Sequence, residues 1–129
     1  MNVVDSSGWL EYFSDSENAV FFAPAIEATE QLLIPAICIY EVFKRILQQR
    51  GLLAAQASVG DMLSAQVIDL DSSLALSAAK ISVELKLPMA DSITLATARV
   101  NNAILWTQDE HFKGLPGVKY VGKPDSSSS

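Results

Sequence analysis

The sequence predicts an α/β fold, a three-layer α/β/α arrangement around a central, mainly parallel sheet of four to five strands. Two observations predict it. Short apolar runs of strand character alternate along the chain with longer segments of helical periodicity, and strands separated by helices imply βαβ units. The chain has 129 residues, half of them hydrophobic, enough for one domain with a real core and no disulfide or structural metal.

The elements follow in order. Asn2 to Val4 is a short β-type run ending at Asp5, and Ser6 and Ser7 are placed to cap a helix through Phe13. A second helix is expected from Asn18 to Glu30, with Pro24 marking a kink or a later start. Leu32 to Ala36 reads as a buried strand. The helix after it puts Ile39, Val42, Phe43, Ile46 and Leu47 on one face and stops at Gly51. Leu52 to Ala65 is another helix, weakened by Gly60, and Gln66 to Leu70 a third strand. Asp71 to Ser73 cap a helix over Leu74 to Lys86 that turns Leu74, Ala78, Ile81 and Leu85 inward, and Pro88 ends it. A helix opening near Asp91 runs to Asn101, Ala103 to Thr107 is the fourth strand, and Gln108 to Phe112 is a loop or short helix. Val118 to Val121 is a weak final strand. Residues 1–122 form the domain, and 123–129 are expected to be a disordered polar tail.

Composition narrows the function. A net charge of −6 and a pI near 4.6 argue against a broad basic surface for nucleic acid. They leave room for a nuclease, because carboxylates that hold a divalent cation lower the formal charge while the cation restores it at the phosphate. The single cysteine, Cys38, rules out an intrachain disulfide and a Cys-based zinc site and fits a reducing compartment. The N-terminus lacks secretory character and no apolar run reaches membrane-spanning length, so a soluble, cytoplasmic protein without membrane association is expected.

In parallel α/β sheets, ligands bind beyond the carboxyl ends of the strands. Four acids arrive there from segments far apart in sequence: Asp5 after the first strand, Glu41 early in the helix after the second, Asp91 opening a helix, and Asp109 two residues past the fourth strand. Taken singly, three of them have ordinary readings. Glu41 lies opposite the apolar face centred on Ile39, Phe43 and Ile46 and reads as a solvated partner of Arg45; Asp91 reads as a cap, and Asp109 as a loop residue. A strand-end Asp5 is shielded and calls for a partner. Together they form a set of oxygen ligands suited to Mg2+ or Mn2+, which can clamp a phosphate and activate water for hydrolysis without a covalent intermediate. Ser7 and Thr107 are placed to orient the carboxylates, and Lys44 and Arg45, on the outer side of the Glu41 helix, are candidate phosphate contacts. His111, the only histidine, reads as a structural or exposed loop residue.

These segments resemble the PIN-domain pattern over nearly the whole chain, to about Val121. Val4-Asp5-Ser6-Ser7 matches the family's strand-end Asp followed by Ser or Thr, and Ile39-Tyr40-Glu41-Val42-Phe43-Lys44 its Glu early in the next helix. Ala90-Asp91-Ser92-Ile93-Thr94-Leu95-Ala96-Thr97-Ala98 matches the Asp opening an alanine-rich helix, and Thr107-Gln108-Asp109-Glu110-His111-Phe112 the Thr-x-Asp with a following Phe. Pro24 departs from the wider family, and Glu110 beside Asp109 leaves open which of the two faces a metal. Within the family the length and the Tyr40 to Arg45 stretch look most like VapC-type toxins of toxin–antitoxin pairs. The resemblance implies an endoribonuclease using Mg2+ or Mn2+ on tRNA or rRNA, with Asp5, Glu41, Asp91 and Asp109 as the catalytic and metal-binding residues. It further implies a homodimer blocked by a cognate VapB-type antitoxin.

The alternatives are a housekeeping PIN nuclease of RNA processing without an antitoxin, or a non-catalytic RNA- or protein-binding module. A haloacid-dehalogenase-type phosphatase would need Asp-x-Asp where this chain has Asp5-Ser6-Ser7, and a receiver domain would need an acid pair that is missing.

Overall fold

Period-two alternation decides which way each strand faces. Val3, Leu33 and Leu105 point to one side of the sheet; Val4, Leu32, Ile34 and Trp106 point to the other. The computed structural model describes residues 1–124. It comprises β1 (Asn2–Val4), α1 (Ser6–Phe13), α2 (Ala19–Glu27), β2 (Leu32–Pro35), α3 (Ala36–Arg50), α4 (Leu52–Met62), β3 (Gln66–Ile68), α5 (Ser72–Leu85), α6 (Met89–Val100), β4 (Ile104–Thr107) and β5 (Val118–Tyr120). The five strands pair in parallel in the order β3-β2-β1-β4-β5. Helices α5 and α6 cover the Val3 face and α1 to α4 the Val4 face, which gives the three expected layers.

Several boundaries differ from the sequence reading for identifiable reasons. Asp5, rather than Ser6 or Ser7, caps α1, because its carboxylate accepts from the Gly8 N–H. Helix α2 ends at Glu27, and a single 3-10 turn over Thr29–Gln31 leads into β2. Pro24 lies within α2, where it cannot donate to the carbonyl of Val20, a residue 81% exposed. Ala36 opens α3 instead of closing the strand, and α4 stops at Met62. Asp71 caps α5 by accepting from the Leu74 N–H, as the sequence suggests. The final segment of the predicted tail, 125–129, lies outside the described residues. Among the described residues no helix is long and apolar enough to cross a membrane.

Two packing features fix the geometry at the carboxyl edge of the sheet. Helix α6 is buried all round from Ser92 to Ala98, so it runs through the protein as a rigid post. Its buried hydroxyls are all partnered: Thr97 donates to the Ile93 carbonyl, Ser92 to that of Pro88 just before the helix, and Thr94 pairs with the Cys38 thiol of α3. The second feature is Gly8, where a Cβ would fall 2.6 Å from the Phe22 ring and 2.7 Å from Val4. Only glycine lets the first turn of α1 lie this close to β1. Gly8→Ala is therefore expected to destabilise the fold by about 1–3 kcal/mol through overpacking. It would also displace the N–H that holds Asp5. Thermal unfolding checks this, and an unchanged melting temperature would show that Phe22 yields freely.

Candidate functional site

The strand order reverses at β1. From β1 the chain proceeds to β2 on one side, while β4 flanks β1 on the other, so the crevice at the carboxyl ends of β1 and β4 is a topological switch point. Asp5 leaves β1 there. Its N–H donates to the Trp106 carbonyl at 3.2 Å and continues the ladder with β4. Its side chain, only 5% exposed, is locked by three donors. Ser7 Oγ and the Gly8 N–H reach Oδ1 at 2.8 and 3.0 Å, and Thr107 Oγ1 reaches Oδ2 at 2.6 Å. Ser7 and Thr107 thus stand where the sequence reading puts them, as orienting groups.

Burial pushes the Asp5 carboxyl up to about 6, against the lowering effect of Thr107, Ser7 and Gly8. Desolvation wins because three hydrogen bonds replace only part of the lost hydration.

Glu41 is a correction. Of the predicted face of α3, Val42 and Ile46 are buried as expected, but the stripe is completed by Cys38, with Ile39 and Phe43 only part-buried at its flank and Leu47 exposed. Glu41 lies at the flank of that stripe, half-buried and in the second turn of the helix. It does not pair with Arg45; Ser6 Oγ, from α1, donates to its Oε1 at 3.0 Å. Burial raises its pKa, and the charges of Asp91 and Asp109 raise it further. Asp91 sits in the first turn of α6, two residues inside the helix rather than at its cap. Its pKa is also raised, by burial first and by Asp109 among the charges.

Asp109 follows β4 and caps a 3-10 turn over Glu110–Phe112 that is anchored by the fully buried Phe112. Its N–H donates to Thr107 Oγ1 at 2.9 Å, so one hydroxyl ties Asp109 to Asp5. Asp109 faces Asp91, whereas Glu110 is exposed.

Sequence reasoning missed one member. His111 Nδ1 lies 2.7 Å from Asp91 Oδ2 and 3.4 Å from Asp109 Oδ1. The available signal was the Asp-x-His spacing on a tight turn, which a reading of the histidine as a lone loop residue passes over. Asp91, Asp109 and His111 each offer a ligand atom within 4.8 Å of the others. Asp5, Glu41 and Asp91, whose carboxyls burial pushes up first and neighbouring acid charge pushes further, form with Asp109 a donor set that fits a divalent cation.

Beside the acids a cleft of about 350 Å³ opens between α1 and α3, sharing Ser7 with the site. Arg45, Arg50 and Lys123 line it. Of the two expected phosphate contacts, Arg45 is in this cleft; Lys44 does not line it and lies over the Tyr40 ring instead, 5.6 Å from its centroid.

The sequence model of the PIN domain matches residues 3–118. The chain belongs to the PIN-domain family. No curated protein matches it in sequence. Among solved structures, this PIN domain is similar to a chain of a toxin–antitoxin complex from Klebsiella pneumoniae, with a TM-score of 0.79 and 23% identity over 92% of this chain and 96% of that one. It is similar to VapC20 of Mycobacterium tuberculosis, a sarcin–ricin loop cleaving toxin, with a TM-score of 0.74 and 16% identity over 90% and 95% of the two chains. A third structure, DNA-bound VapBC from Salmonella typhimurium, aligns with a TM-score of 0.72 and 17% identity over 95% and 98%. These likenesses establish the fold.

Proposed function

We propose that this PIN-domain protein is a divalent-metal-dependent endoribonuclease. In this reading it is the toxin of a VapBC-type pair, a cytoplasmic homodimer that acts on tRNA or rRNA and is neutralised by a cognate VapB-type antitoxin. The observation that carries the reading is the set of acids brought to the switch point by four separate segments, with Asp5 locked by three hydrogen bonds. A module that only bound a partner would have no need to bury Asp5 and hold Glu41, Asp91 and Asp109 in mutual repulsion beside it. The toxin assignment draws support from fold relatives that are a sarcin–ricin loop cleaving toxin and chains of toxin–antitoxin assemblies.

Asp5, Glu41, Asp91 and Asp109 would hold Mg2+ or Mn2+. Such an ion, when bound, supplies charge stabilisation at the phosphate and lowers the pKa of water. The chain's own groups do the positioning. Thr107 couples Asp5 to Asp109, Ser6 fixes Glu41, and the buried post of α6 fixes Asp91. The cleft beside the site gives an acidic protein a local basic lane for the RNA backbone through Arg45, Arg50 and Lys123.

The test is incubation of the purified protein with total RNA in Mg2+, Mn2+ or EDTA. Discrete fragments that require the metal are expected. Intact tRNA and ribosomal RNA after incubation with folded, metal-loaded protein would overturn the reading.

A further inference from the structure

Resting on the metal-site reading above, we infer that His111 is a nitrogen donor to the same cation as Asp91 and Asp109, so that the site favours Mn2+ over Mg2+. Around one cation with bonds of about 2.1 Å, neighbouring octahedral ligands lie about 3.0 Å apart and opposite ones about 4.2 Å. His111 Nδ1 stands 2.7 Å from Asp91 Oδ2 and 3.4 Å from Asp109 Oδ1, on either side of the neighbouring-ligand value. The ligand atoms of all three residues fall within 4.8 Å of one another.

The position of the imidazole is built rather than accidental. The His111 N–H donates to Asp109 Oδ1 at 2.9 Å, and the next residue, Phe112, is completely buried. The 3-10 turn therefore delivers Asp109 and His111 to Asp91 as one unit, with the ring edge turned to the carboxylates and the rest of the ring toward solvent.

Chemistry then separates the metals. Mg2+ is a hard ion that demands near-ideal oxygen ligation and keeps its waters, so it gains little from an imidazole; Mn2+ also favours oxygen but, as a transition-metal ion, gains more than Mg2+ from one nitrogen in a mixed site. The alternative role for His111 is a hydrogen bond that only steadies Asp91. In that role it would carry no nitrogen to the metal and would not discriminate between the two ions.

The experiment uses the untagged protein loaded with Mn2+ and read by electron spin-echo modulation, with Mn2+ and Mg2+ affinities from calorimetry. Since His111 is the only histidine, an imidazole nitrogen coupling has a single source. The expected result is such a coupling in the wild type and its loss in His111→Ala and His111→Gln. The same variants should weaken Mn2+ binding about tenfold or more and Mg2+ binding much less. Because the side chain is 55% exposed, both variants are expected to keep the wild-type melting temperature without metal. Mn2+ bound without nitrogen coupling, or a coupling that survives both substitutions, overturns the inference and leaves the metal-site reading standing. Equal weakening of both metals also overturns it, in favour of the steadying role. Failure of the wild type to bind either metal sinks the metal-site reading itself.

Discussion

Asp5→Asn is expected to lower RNA cleavage by about 10²–10³-fold while leaving the protein folded. The substitution is nearly isosteric. The Asn carbonyl oxygen can still accept from Ser7 and from the Gly8 N–H, so the cap of α1 survives. The new amide faces Thr107 Oγ1, which now donates to Asp5 Oδ2 and can instead accept. What disappears is a buried negative charge coupled to that of Asp109. The effect should therefore fall on kcat and on metal affinity. Arg45→Ala combined with Arg50→Ala, in the neighbouring cleft, should behave differently. It should raise KM and flatten the salt dependence by about one unit of slope for each phosphate no longer neutralised, with kcat nearly intact. Single-turnover cleavage across a salt series separates the two patterns. Full activity of Asp5→Asn would remove Asp5 from the metal set; unchanged salt dependence in the double variant would take the RNA path elsewhere.

How much of this was legible in the sequence depends on where each residue's partner lies. Asp5 was readable because an acid directly after Asn2-Val3-Val4 must end a buried strand, and local sequence fixes that burial. The layers were readable for a similar reason, since βαβ connectivity restricts the sheet to parallel pairing. Glu41 was misjudged in detail because helical spacing alone allows two neighbouring stripes. Val42 and Ile46 belong to both; Ile39, Phe43 and Leu47 widen the face to one side and Cys38 to the other, and the sheet and α4 select the Cys38 side. Its partner Ser6 is 35 residues away and invisible to any local rule. The Ser6 and Ser7 capping assignment failed because Asp5 competes for the same Gly8 N–H from the better position. His111 was passed over because its significance depends on how a 3-10 turn aims its ring at α6, a tertiary fact with no periodic signature. The basic cleft brings Lys123, from the far end of the chain, to Arg45 and Arg50 of α3, and that meeting of distant segments has no local signature.

Without metal, stability should fall as pH rises from about 4 to about 6, the reverse of the usual acid-denaturation trend. The sign follows from Asp5. Its carboxyl titrates near 6 in the folded chain and at the ordinary value of 3.8 when unfolded. Between those values the folded state binds more protons than the unfolded state, so raising the pH favours unfolding. The Asp5 contribution is fully present below 3.8 and lost as pH rises through about 6. The difference corresponds to about 3 kcal/mol, or a fall on the order of 10 °C in melting temperature for a domain of this size. Glu41 and Asp91 are shifted in the same direction by burial and by neighbouring acids, so each reinforces the trend. Two comparisons identify the source. Asp5→Asn removes the titrating group and should flatten most of the slope, becoming more stable than the wild type near pH 7 in EDTA. Millimolar Mn2+ should stabilise the wild type at pH 7 far more than at pH 4, because protons compete for the same oxygens. Melting temperatures across pH, with EDTA and with Mn2+, provide the measurement. A slope that persists in Asp5→Asn would move the effect to other groups, and metal stabilisation independent of pH would place the cation away from these carboxylates. The same burial that makes Asp5 costly in the metal-free protein would make it a strong ligand in the proposed metal site. A carboxylate already stripped of water and aimed by three donors has little left to reorganise when a cation arrives.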